Sequence, residues 1–178
     1  MMNISDTFRY FFYLLILTGY QATAQKSPPL IEEFLQKWKN SKTYTVDLVR
    51  SFPESQLDYR PVDSIMTFQQ QIVHLTIGII WHSGTYLKEK DFGRTIEPDM
   101  RFTKAELIKN LEEAYDFSEK IIRTLTPTDL DTRVDFFAGN FTKRQILNLL
   151  DDHVTHHRAQ LIIYLRLNGI APPRYTGW

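Results

Sequence analysis

The chain has 178 residues, room for one domain with a full core but not comfortably for two. Apolar residues make up 43% of it, which marks a globular chain, and Lys plus Arg balances Asp plus Glu at 21 each. Zero net charge leaves none of the broad positive field that nucleic-acid binding relies on. The absence of cysteine excludes disulfides, Cys-ligated zinc, iron–sulfur clusters, a thiol nucleophile and a lipidated-Cys anchor.

At the N-terminus, Arg9 precedes the apolar run Tyr10-Phe11-Phe12-Tyr13-Leu14-Leu15-Ile16-Leu17, and Ala22-Thr23-Ala24 follows as an A-x-A-like cleavage site. This order of charge, short apolar run and small residues is that of a secretory signal peptide. The run falls short of the roughly 20 apolar residues that span a bilayer, so no permanent membrane anchor is expected. The expectation is a signal peptide over 1–24 and one mature domain over 25–178, exported to the periplasm or the medium.

Ser27-Pro28-Pro29 opens the first predicted helix, with Ser27 as N-cap and Pro28 at the first helical position. Leu30, Ile31, Phe34, Leu35 and Trp38, then Tyr44, Leu48 and Val49, keep helical spacing until Pro53. Thr67 and Gln70 form a capping-box pair that opens a second helix, whose apolar residues run to Leu87. Thr103 and Glu106 open a third, with an amphipathic stripe through Leu107, Leu111, Ala114, Ser118, Ile121, Ile122 and Leu125 until Thr126-Pro127. Val134, Phe136 and Phe137 suggest a short extended piece before Gly139-Asn140. Thr142 and Gln145 open a fourth helix running to Asn168, with Gly169 just past its end and Pro172-Pro173 beyond. The expected class is all-α, a four-helix bundle of antiparallel type.

The fourth helix carries Asp152-His153-Val154-Thr155-His156-His157-Arg158-Ala159-Gln160. His153 and His157 are four apart and share a face, which Gln160 and Tyr164 continue. Leu150, Val154, Leu161 and Leu165 flank that stripe, so it points inward and its imidazoles need partners. His74 lies in the apolar run Ile72-Val73-His74-Leu75-Thr76-Ile77 of the second helix. The three side chains suit one divalent metal, Zn, Ni, Co or Fe(II), with positions left open for water or substrate. Spacing alone leaves open that they are core histidines bonded to backbone carbonyls. No Glu-x-x-His pair is present, which argues against a carboxylate-bridged di-iron centre. His82 lies about 80° around the helix from His74, at about 100° per residue, and is expected at the rim. His156 is offset from the shared face and is the substitute ligand.

Three stretches resemble the DinB-like superfamily of metal-binding four-helix bundles: Leu57-Asp58-Tyr59-Arg60-Pro61, the helix around His74, and Asp152 to Tyr175. His153-Val154-Thr155-His156-His157-Arg158-Ala159-Gln160 is similar to the family signature H-x-x-H-H-R-G-Q, with Ala159 where many relatives have Gly. Tyr164-Leu165-Arg166-Leu167-Asn168-Gly169-Ile170-Ala171-Pro172-Pro173 is similar to its closing segment. The resemblance implies that His74, His153 and His157 hold Zn or Ni, and that the protein forms a homodimer. It implies activity less well, because relatives include thiol transferases, an isomerase and presumed hydrolases.

Two functions follow as expectations. One is a metal-dependent hydrolase or transferase acting on a small molecule, with Tyr59, Trp81, Gln160 and Tyr164 lining its pocket. The other is a non-catalytic envelope binding protein or stress-related scaffold whose metal is structural and coordinatively closed.

Overall fold

The computed structural model describes residues 29–178. The expected signal peptide, its cleavage site and the Ser27-Pro28 cap lie outside those residues. In chain order the elements are α1 (Pro29–Ser51), a 3-10 turn (Glu54–Gln56), α2 (Phe68–Trp81), a π-helical turn (His82–Leu87), α3 (Lys104–Ile122), α4 (Pro127–Asp131), β1 (Arg133–Phe136), β2 (Gly139–Thr142) and α5 (Lys143–Leu167).

The helix starts follow local chemistry. At α2 the Thr67 hydroxyl accepts from the Gln70 N–H, and the Gln70 side chain accepts in return from the Thr67 N–H, satisfying two donors that lack helical partners. Thr103 with Glu106 and Thr142 with Gln145 repeat the arrangement at α3 and α5. At the end of α5, Gly169 takes φ 71°, its N–H reaches the Arg166 carbonyl, and the Ile170 N–H reaches Leu165. That is a Schellman termination, which needs the left-handed conformation glycine adopts without cost from a Cβ.

Two features depart from the expected all-α reading. Thr126-Pro127 does end the third helix, but it also starts another: Thr126 and Asp129 form a fourth capping box, with Pro127 at the first helical position. The extended piece is half of a two-stranded antiparallel hairpin, in register Arg133 to Thr142 and Phe136 to Gly139.

Helices α1 and α2 each pack on both α3 and α5, so the ring order is α1–α3–α2–α5 and the consecutive helices α1 and α2 lie on a diagonal. The core between them includes Trp38, Phe52, Phe68, Ile72, Leu111, Tyr115, Leu150 and Leu161. Held between α3 and α5 and followed by the π-helical turn, α2 is buried on most sides, and its His74 turn faces α5. Among the described residues, no helix is long and apolar enough to cross a membrane.

Candidate metal centre

Antiparallel packing of α2 on α5 brings the three histidines together. One ligand atom from each of His74, His153 and His157 lies within 4.8 Å of the other two. His74 Nε2 and His153 Nε2 face one another at 3.2 Å. Nitrogens around a tetrahedral ion with bonds near 2.0–2.1 Å sit about 3.3 Å apart, so the cluster needs little closing to hold one divalent ion. Burial, reinforced by the neighbouring imidazoles His157, His82, His74 and His156, pushes His153 down to about 3. Burial, with His74 and His156, pushes His157 down to about 4, and His74 is lowered for the same kinds of reason. The three rings are therefore neutral at neutral pH, the form in which imidazole ligates.

A chain of amides fixes how His157 is presented. The Gln71 side-chain oxygen accepts from His157 Nδ1–H at 2.7 Å, and its amide nitrogen donates to Gln160 Oε1 at 2.5 Å. The Gln160 amide in turn donates to His156 Nε2 at 2.8 Å. With the amides in this orientation His157 carries its proton on Nδ1, which leaves Nε2 free to ligate. His156, the substitute ligand of the sequence reading, is exposed and sits at the far end of this chain.

His153 is seated by a glycine. A Cβ on Gly78 would lie 2.1 Å from His153 Cε1 and 2.7 Å from Nδ1. The ring therefore occupies space that only a residue without a side chain can leave on α2. Its Nδ1 is buried without a hydrogen-bond partner.

A 490 Å³ cavity adjoins the cluster, lined by His74 and His153, by Trp81 and His82 of the α2 end, by Phe136 and Phe137 of the hairpin, and by Asp152. Of the four side chains expected in a pocket, Trp81 lies in its wall. Tyr59, Gln160 and Tyr164 do not, because the cavity opens toward the C-terminal end of α2 whereas they lie toward its N-terminal end. Tyr164, 2% exposed, donates its hydroxyl to the Met66 carbonyl at 2.7 Å, and Tyr59 packs edge-on against its ring. Gln160 belongs to the amide chain.

His82 departs from its expected place at the rim: it is 6% exposed. The hairpin folds over this end of α2, with the Phe136 ring 6.0 Å from the His82 ring. His82 Nδ1–H donates to the Gly78 carbonyl at 2.6 Å, so Nε2 is its basic nitrogen. The amide role of Gln71 and the seat at Gly78 had no counterpart in the sequence reading. A glycine inside an apolar helical run was the available signal for the second.

The depressed histidines set a pH dependence in the metal-free protein. Their folded pKa values lie below the unfolded value, so the unfolded chain binds more protons on the acid side. Stability should be full above about pH 6.5 and fall through the window down to about 4 and 3, the folded values of His157 and His153. Urea unfolding of metal-free protein across that window measures it. His153→Ala should flatten the slope; an unchanged slope would contradict the assignment.

The model of the DinB family matches residues 21–178. An uncharacterised protein of Bacillus subtilis, YjoA, is 20% identical over 147 residues, 81% of this chain and 92% of its own. Its crystal structure, that of a DinB-like protein, superposes with a TM-score of 0.66 at 19% identity, over 80% of this chain and 96% of YjoA. A DinB-like protein from Bacillus cereus gives 0.70 at 19% identity, over 82% and 97%. YfiT from Bacillus subtilis, described as a probable metal-dependent hydrolase with an unusual four-helix bundle topology, gives 0.63 at 18%, over 85% and 95%.

Proposed function

We propose that this chain, which belongs to the DinB family, is a metal-dependent hydrolase that cleaves an ester, amide or related bond of a small molecule. The observation that carries the reading is the cavity itself: His74 and His153 form part of its wall, so a metal held by the trio would face a space large enough for a substrate. YfiT, a structural neighbour, is described as a probable metal-dependent hydrolase, which agrees with the reading. A divalent ion there, Zn or Ni by the donor set, supplies a Lewis acid for hydrolysis.

The remaining work falls to residues of the chain. His157 is held in one tautomer by Gln71. Trp81 and buried Phe136 give an apolar wall, with exposed Phe137 at its rim, that favours a substrate with an apolar body. His82 Nε2 is the proton acceptor of this reading: its other nitrogen is committed to Gly78, and burial, partly opposed by that carbonyl bond, keeps the ring neutral. Asp152, the one carboxylate in the cavity wall among the described residues, is the alternative acceptor.

The test is a panel of apolar aryl and acyl esters and amides, assayed with protein loaded with Zn or Ni after purification without a histidine tag. Hydrolysis should vanish with chelation and return with metal. His157→Ala should remove metal and activity together. His82→Gln should keep the metal and lower kcat by about 10²- to 10⁴-fold, the usual contribution of a general base. A loaded protein inert to the whole panel, with a coordinatively closed metal, would replace the hydrolase by a structural site.

A further inference from the structure

On the face of α5 turned toward α1, away from the histidine cluster, a second group has no assigned role. Arg158 is 8% exposed. Its Nη1 donates to Ser41 Oγ at 2.6 Å, its Nη2 donates to Thr155 Oγ1 at 3.2 Å, and its guanidinium lies 5.5 Å from the centre of the Tyr44 ring. All three partners are neutral. No carboxylate among the described residues forms an ion pair with it. A guanidinium almost removed from water without a counter-charge is costly, and of its five N–H donors two are used among the described residues.

The same side chain lines a 260 Å³ hollow between α1 and α5, together with Lys37, Ser41, Tyr44, Thr155 and Tyr175. The C-terminal segment covers it, with Tyr175 edge-on to Tyr44 at 5.7 Å. Lys37 at its edge is held by Asp151 at 2.5 Å. Lys37 thus has a carboxylate partner, whereas Arg158 has none among the described residues. Hydroxyls of Ser41 and Thr155 stand beside it, and aromatic rings form its sides.

We propose that this hollow binds a small oxyanion, a carboxylate or a phosphate, on the Arg158 guanidinium. The planar fork of Arg matches two oxygens of such a group, while Lys37 adds charge at the entrance. Benzoate and inorganic phosphate are the probes, since the flanking rings of Tyr44 and Tyr175 favour an aromatic carboxylate over a bare phosphate if the organic body matters.

The experiment is NMR titration of metal-free protein with either anion, replacing chloride at constant ionic strength and following the side-chain N–H signal of Arg158. Saturable movement of that signal is expected, and its persistence in His157→Ala separates this site from any metal-held anion. Arg158→Gln should abolish binding, and Lys37→Gln should weaken it by about tenfold, near 1.4 kcal/mol. Lys37 sits at the accessible edge, so its variant decides the matter should Arg158→Gln fail to fold. The proposal is overturned if neither anion saturates, or if affinity is undiminished in Lys37→Gln.

Discussion

Replacing Gly78 by alanine should weaken metal binding by about 10- to 100-fold, the range seen when groups that orient a ligand are lost. The added methyl would fall 2.1 Å from His153 Cε1 and 2.8 Å from Nε2. No real Cβ sits so close to another heavy atom, so the imidazole must swing away. Its Nε2 then leaves the 3.2 Å approach to His74 Nε2. The His153 ring cannot retreat freely, since His82 packs 5.3 Å away and burial surrounds it. Helix propensity predicts the opposite direction for stability: alanine is favoured over glycine inside a helix by about 1 kcal/mol. Competition against a calibrated chelator, read beside thermal unfolding, therefore tests the seat directly. Unchanged metal affinity with raised stability would show that the ring is not held by Gly78.

How much of this centre could be read from the chain depends on the distance over which each signal acts. The pairs Thr67 with Gln70, Thr103 with Glu106 and Thr142 with Gln145 are local chemistry, and each opens the helix it should. Gly169 is equally local. The Thr126-Pro127 pair was legible only in half, because proline both ends one helix and suits the first turn of the next; Asp129 is the residue that decides. His153 and His157 share a face by period alone, and the geometry also brings His74 within reach of both.

What could not be read required knowing which helices are neighbours and which end of the groove is open. The inward stripe on α5 runs both ways from the histidines. Following it toward Gln160 and Tyr164 leads to the N-terminal end of α2, where Tyr164 bonds the Met66 carbonyl. The cavity lies the other way, beside Leu149 and Asp152, because antiparallel pairing sets those residues against Trp81 and the hairpin. His82 is buried for the same nonlocal reason: Phe136, more than fifty positions later, covers it. Helical geometry could place His82 around its own axis, but not the hairpin above it. Gln71 is likewise inconspicuous until α5 supplies both His157 and Gln160 as partners.

Metal should raise the unfolding temperature, and His153 should be necessary for that rise. His153 Nδ1 is buried with no partner, while His153 Nε2 and His74 Nε2 share a hydrogen bond at 3.2 Å that holds the two ligating nitrogens close together. The unpartnered nitrogen costs free energy in the metal-free protein, and both rings are neutral and ready to ligate. An ion that binds the folded chain alone, present at about 1,000 times its dissociation constant, adds about 4 kcal/mol of stability. For a domain of this size each kcal/mol moves the midpoint by about 2 to 4 °C, so a shift of about 8 to 16 °C is expected. Calorimetry with Zn or Ni against chelated protein measures it. In His153→Ala the shift should largely disappear, and the metal-free variant should lose less than a buried truncation usually costs, because an unsatisfied polar atom is removed with the ring. A rise that survives His153→Ala at full size would place the ion elsewhere, and a midpoint indifferent to metal would mean that the convergence of His74, His153 and His157 serves packing alone.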